Sequence, residues 1–141
     1  VTVISPGGGV TLTGRYLGYD GRYLRIETEA GPVTLDYAGV TCTGDACPGP
    51  DAPAEWRLSG AARMGEVLLP ALIEGFGFSE GYEVRREETD PLVFDYVVSD
   101  RTTGADLQRF RFRLSTTDGG FDDLLADRAD VALAVREVRP G

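Results

Sequence analysis

Few side chains in this chain have the types and spacing for chemistry. Cys42 and Cys47 are separated by Thr-Gly-Asp-Ala. Two thiols are an incomplete zinc set, and the four-residue spacer is not the CxxC redox spacing. Gly44 and Asp45 favour a turn that brings the sulfurs together. A structural disulfide is therefore expected, and with it an oxidising compartment; two unpaired thiols are the alternative. Glu87, Glu88 and Asp90 offer carboxylates for acid/base work, but no cleft signature surrounds them and they read as a charged loop. Asp122 and Asp123 offer oxygens to a hard cation such as Ca²⁺, but read first as first-turn residues favoured by a helix dipole. Arg109, Arg111 and Arg113 alternate along a strand. They read as a contact for an acidic partner or as a solvated face whose ion pairs are each worth under ~1 kcal/mol. Tyr16, Tyr19 and Tyr23 crowd one hairpin, as packing or as a peptide surface, and Trp56 reads as core.

Absent residue types exclude more. The chain of 141 residues contains no His and no Lys; all 14 basic residues are Arg, against 23 acidic ones. That removes Ser-His-Asp and Cys-His catalysis, imidazole metal sites, the Walker A lysine and Schiff-base chemistry. No catalytic residue, metal or cofactor is expected. A net charge of −9 disfavours nucleic acid and anionic membrane surfaces. No apolar run approaches the ~18 residues that would span a bilayer. The first residue is Val1 rather than Met, so a processed or excised piece is expected.

These side chains need elements to position them, and two zones of composition supply them. Residues 1–47 read as about five short strands between glycine turns. Asp20-Gly21 is a hairpin signal. The 33–37 stretch alternates apolar and polar. A small barrel-like sheet would hide the edges of these strands. Residues 48–54 hold three prolines and read as a semi-stiff linker.

From residue 55 the pattern becomes strand, helix, strands, helix, strand, which indicates an α/β layer and an α+β chain overall. Met64, Val67, Leu68, Ala71, Leu72 and Phe76 form a stripe at helical spacing. Pro70 interrupts that stripe and should kink the helix or displace its start. Phe110, Phe112 and Leu114 alternate with the arginines. Thr117-Asp118 reads as a helix cap. The 131–135 run reads as a strand buried on both faces.

Three stretches in order carry a resemblance. Residues 58–73 contain Ser59-Gly60 followed by Leu-Pro-Ala-Leu. Residues 115–121 read Ser-Thr-Thr-Asp-Gly-Gly-Phe. Residues 121–136 read Phe-Asp-Asp-Leu-Leu-Ala-Asp-Arg-Ala-Asp-Val-Ala-Leu-Ala-Val-Arg. Residues 55–139 thereby resemble the start of a type 2 periplasmic substrate-binding protein, and most closely the phosphate-type modules of OmpA-family envelope proteins. The resemblance implies part of a first lobe in which helix N-termini converge on a ligand at the strand ends. It also implies contacts from Ser59, Gly60, Ala61, Thr117, Gly119 and Arg136.

The chain departs from the family at several positions. Ser59-Gly-Ala-Ala-Arg63 stands where the family has Ser-Gly-Ser-Asn-Thr, and Asp118-Gly119 where it has Ser-Thr. A carboxylate at Asp118 repels an anion unless the ligand can donate a proton. Val135 replaces a serine. The expectation is a non-enzymatic module in the periplasm or cell envelope, an N-terminal part of a longer protein. Its partners would be a small anion such as phosphate and the other domains of that protein. The rival is a structural or protein-interaction module that kept the fold and lost the ligand.

Overall fold

The computed structural model describes residues 1–137, and the chain divides between Glu55 and Trp56 into two units. Among the described residues it is a mixed α+β protein, mostly strand with two α-helices.

In the first unit β1 (Thr2–Ile4), β2 (Thr11–Thr13) and β6 (Thr41–Thr43) form one antiparallel sheet in the order β2-β1-β6. Strands β3 (Arg15–Tyr19), β4 (Tyr23–Thr28) and β5 (Gly31–Asp36) form a second, also antiparallel. Asp20-Gly21 closes the β3–β4 hairpin. Oδ1 of Asp20 accepts from the backbone N–H groups of Arg22 (2.9 Å) and Tyr23 (2.7 Å), and Gly21 takes the positive φ of 97° that the turn needs. Val3, Leu24 and Ile26 are the buried core, with Tyr16, Val33 and Leu35 among the residues packed on it.

The expected barrel does not form. The 3₁₀ turn Tyr37–Gly39 separates β5 from β6, and Gly14 interrupts the chain between β2 and β3, so the two sheets do not close on each other. Strands β1, β2 and β6 have only three residues each, too few to carry a continuous hydrogen-bond ladder around a barrel. Cys42 and Cys47 are bridged, with Cα atoms 5.9 Å apart. The bridge pins the end of β6, and closing so short a loop stabilises the fold by about 2 kcal/mol at most. Tyr19 meets Tyr37 edge-on at 5.2 Å, whereas Tyr23 stays exposed under the guanidinium of Arg22.

The second unit is a five-stranded sheet in the order β11-β7-β10-β9-β8. Its strands are β7 (Ala54–Ala61), β8 (Tyr82–Asp90), β9 (Val93–Asp100), β10 (Asp106–Ser115) and β11 (Val131–Leu133). Strands β8, β9 and β10 are antiparallel, and β11 runs parallel to β7. Pro70 displaces the start of the first helix. A π-helical turn, Met64–Leu68, precedes α1 (Leu69–Glu80), and the N–H of Leu69 reaches back to the carbonyl of Met64. A proline near a helix start removes one donor, and a widened turn absorbs the loss. Gly81 ends α1 in the left-handed conformation, φ 76°.

Most of the apolar stripe read at helical spacing faces outward, and Met64 alone of it packs on the core. Helix α1 buries Pro70, Ile73 and Gly77, while Val67, Leu68, Leu72 and Phe76 face outward. The side it buries packs on Leu58, Phe94, Tyr96, Phe112, Leu114 and Leu133, with the Phe94 and Phe112 rings stacked at 5.1 Å. Trp56, read as core, is exposed.

The opposite face of β8–β10 is polar. Glu87, Glu88 and Asp90 lie on strand β8 and not in a loop: Glu87 pairs with Arg85 of the same strand and Arg109 of β10, Glu88 with Arg86 of the same strand, and Asp90 accepts from the N–H of Leu92. Arg109 donates to Glu87 (2.8 Å) and Asp95 (2.6 Å). Arg85 donates to Glu87 (3.0 Å), to Ser99 (2.8 Å) and to both oxygens of Asp106 (2.8 and 2.9 Å). Val97 is fully buried although it sits on this face. Its register partners are Arg85 and Arg109, whose aliphatic stems can shield it while their heads stay with the carboxylates.

The hydrogen bonds from Arg85, and secondly Ser99, hold the Asp106 carboxyl at about 2, below its usual 3.8. A carboxyl depressed in the folded state contributes its full stabilisation above the unfolded pKa and loses it as pH falls through the folded one. Asp106→Asn is therefore expected to cost about 1 kcal/mol at pH 7 and to flatten the acid limb of stability between about pH 4 and pH 2, read by urea unfolding across pH.

Candidate functional site

The site lies where helix α2 (Thr117–Leu125) meets β7. Thr116, not Thr117-Asp118, is its cap: the Thr116 hydroxyl accepts from the N–H of Gly119 at 3.0 Å. Gly120 lets the helix sit on the strand, since a Cβ there would lie 2.5 Å from the carbonyl oxygen of Ser59 and 2.8 Å from Cα of Gly60. Leu58 points into the core beneath α1, whereas its neighbour Ser59 bonds Asp123 of α2. Successive strand residues face opposite ways, so the two helices cover opposite faces of the sheet.

The Asp130 corner sets β11 beside β7. Arg57 grips the Asp130 carboxylate through Nε (3.2 Å) and a terminal nitrogen (2.9 Å), its own N–H donates to Asp130 (2.8 Å), and the N–H of Asp130 returns to the Arg57 carbonyl (2.8 Å). Strand β11 was expected to be buried on both faces. It is an edge strand, with Val131 exposed and Val135 beyond its end exposed too. A short apolar run does not distinguish a central position from an edge.

Each residue of the expected ligand set has a place here. Ser59, Gly60 and Ala61 are buried along β7, and Gly60 pairs with Leu133. Ser59 Oγ donates to Asp123 Oδ2 at 2.5 Å. The buried Thr117 hydroxyl accepts from the N–H of Val135 at 3.3 Å. The Gly119 N–H is held by the cap. Arg136 pairs with the Asp118 carboxylate and lies over the Phe121 ring, 5.7 Å from its centroid. Ser59 and Gly60 thus adjoin Gly120 of α2, Thr117 and Gly119 lie in its first turn with Arg136 paired to Asp118 there, and the Ser59 hydroxyl, the Arg136 guanidinium and the Gly119 N–H already have partners within the protein.

The open space is next to that start. A cavity of about 460 Å³ is lined by Arg113, Leu114, Ser115, Gly119, Asp122, Asp123 and Arg128. A second, of about 430 Å³, shares Arg113 and Arg128 and includes Ser59, Asp95 and Arg111. Ser59 and Gly119 therefore border open space, whereas Gly60, Ala61, Thr117 and Arg136 line neither cavity. Asp123 is the electrostatic hinge of the groove. It accepts from Ser59 and from Nε of Arg128 (2.8 Å), and these two bonds, Ser59 foremost, hold its carboxyl below the usual range.

Arg113 is exposed and, among the described residues, makes no hydrogen bond or ion pair; it acts on Asp123 only at longer range. Sequence reasoning placed Arg113 in a solvated stripe and passed over Arg128. Their alternation and helix-end positions gave no sign that they would share one groove. Among the described residues no group of His, Cys, Asp and Glu is arranged to hold a metal, and no helix is long and apolar enough to cross a membrane. No family model, no curated protein and no solved structure matches this chain.

Proposed function

We propose that this chain is a non-enzymatic, extracytoplasmic ligand-binding module of the substrate-binding-protein type, part of a larger envelope protein. In this reading its second unit takes a small oxyanion such as phosphate in the groove beside α2. The observation that carries the proposal is the exposed, unclaimed guanidinium of Arg113 facing the same cavity as Arg128, Ser115 and Gly119. A planar guanidinium with free donors suits a tetrahedral or carboxylate oxyanion. The Cys42–Cys47 bridge fits an oxidising compartment. The resemblance of residues 55–139 supplies the module type.

A second reading has its own support. The Ser59 hydroxyl and Arg136 are taken by Asp123 and Asp118, so the inherited contacts are occupied by the protein's own groups. A structural or protein-interaction module that lost its ligand would look the same at those positions.

Calorimetric titration of inorganic phosphate, sulfate and acetate separates the two. The binding reading expects a saturable phosphate isotherm with a millimolar Kd, worth about 4 kcal/mol, that disappears in Arg113→Gln. Heats equal to dilution for all three anions would favour the module without a ligand.

A further inference from the structure

We propose that the outward face of α1 is a docking site for an amphipathic helix whose apolar stripe is flanked by Arg or Lys. The inference rests on the helix alone and not on the anion site. Helix α1 is apolar on both sides. Its inner side, through Ile73, Pro70 and Gly77, already packs on the sheet. Its outer side presents Leu72 (59% exposed) and Phe76 (54%), continued by Leu68 and Val67 (69%) of the π-turn before it, and Phe78 (83%) is exposed farther round the helix. Leu68, Leu72 and Phe76 follow one another at four-residue steps and so lie along one line of the helix. A helix apolar all round is one that is covered all round, and a contiguous patch of this kind marks an interaction surface. Gly75 lies on the same helix with nothing within 4 Å of where its Cβ would be, so a second helix can approach closely there.

Charge selects the occupant. The charged residues of the π-turn and α1 are Glu66, Glu74 and Glu80, with Glu83 following on β8; the π-turn and helix hold no Arg or Lys, and Arg63 stands just before them. All four carboxylates are on exposed residues. A second copy of this chain would bring the same acidic rim against itself, and like charges juxtaposed at an interface reject that pairing. An anionic membrane surface is rejected for the same reason. A helix with an apolar stripe and basic flanks buries the Leu68–Leu72–Phe76 line and pairs the glutamates, which is helix-in-groove recognition with complementary rims.

The test uses the full chain and three synthetic peptides of about 18 residues with the same leucine stripe: one with Arg flanks, one with Glu flanks and one with the Arg-flanked composition scrambled. Binding is followed by fluorescence anisotropy of labelled peptide, alongside sedimentation of the protein alone and flotation with phosphatidylcholine vesicles. The expected result is a monomeric protein that binds the Arg-flanked peptide at least about tenfold tighter than the other two. That binding should be lost in Leu68→Ser/Leu72→Ser/Phe76→Ser, a variant that leaves the net charge unchanged. These side chains are exposed, Phe76 also meeting the Tyr82 ring at 6.0 Å, and an unaltered far-UV circular dichroism spectrum and urea midpoint check that the variant keeps the fold. Equal binding of the scrambled peptide, or retention of binding in the triple variant, would show general attraction to an acidic protein and overturn the proposal. A dimer, or flotation with vesicles, that the triple variant abolishes would overturn it in favour of a different occupant.

Discussion

Gly60→Ala is expected to unfold the second unit or to cost it about 3 kcal/mol or more, while the first unit keeps its disulfide-pinned sheets. Gly60 has a φ of 136°, which side chains rarely adopt, and a Cβ there would overlap the carbonyl oxygen of Leu133 and come within 3.0 Å of its nitrogen. Leu133 is the register partner of Gly60, so the clash is with backbone and no side chain can swing away. Relief requires β11 to leave β7, and Gly120 of α2 is packed over the same point. Urea unfolding followed by the fluorescence of Trp56, the single tryptophan, measures the loss. Gly75→Ala is the internal control with the opposite sign. That position is helical and open, so alanine is expected to stabilise by about 0.5–1 kcal/mol. A Gly60→Ala protein as stable as the parent would mean that β11 does not pair with β7 in this register.

Asp123→Asn is expected to move stability and ligand affinity in opposite directions. The carboxylate accepts from the nearly buried Ser59 hydroxyl and from Arg128, and bonds to a charged acceptor are the stronger class. An amide retains the shape and one acceptor but loses the charge, so a loss of about 1–2 kcal/mol follows. The same exchange removes a negative charge from the wall of the cavity and releases Arg128 from its partner. An oxyanion bound at Arg113 then meets one carboxylate fewer and one guanidinium more, and phosphate affinity is expected to rise on the order of tenfold. The hydrogen bond from Ser59, with that of Arg128, keeps the Asp123 carboxyl below its ordinary range. The parent protein should therefore not gain this affinity until pH falls below the ordinary carboxylate range. Phosphate titrations of both proteins at neutral pH measure the difference. A fall in affinity would show that Asp123 supports the ligand instead of competing with it.

What could be read from the sequence was what local chemistry decides. The Asp20-Gly21 turn, the Cys42–Cys47 bridge and the alternation of Phe110, Phe112 and Leu114 with arginines are short-range patterns, and each appears in the fold. Long-range pairing was not legible. The barrel failed because closure depends on which edges meet, which three-residue strands do not announce. The inward face of α1 was not legible because both of its faces are apolar, and periodicity finds a stripe without saying which side is the core. The 131–135 run was misread because an edge strand and a central strand share its composition. At the site, Thr117 and Gly119 fall in the first turn of α2 and Ser59 on the strand that the helix covers, as their places in the sequence suggest. The Asp123 bridge between Ser59 and Arg128 was not, because it joins β7 to a helix 64 residues away in sequence.

In the proposed reading the groove beside α2 holds an oxyanion on Arg113, with Arg128 at its edge. Amide chemical-shift mapping during a phosphate titration of the ¹⁵N-labelled protein tests it most directly. Saturable shifts are expected at Ser115, Gly119 and the backbone near Arg113 and Arg128, matched by one dissociation constant and abolished in Arg113→Gln. Shifts absent from those amides, or present there unchanged in Arg113→Gln, would contradict it.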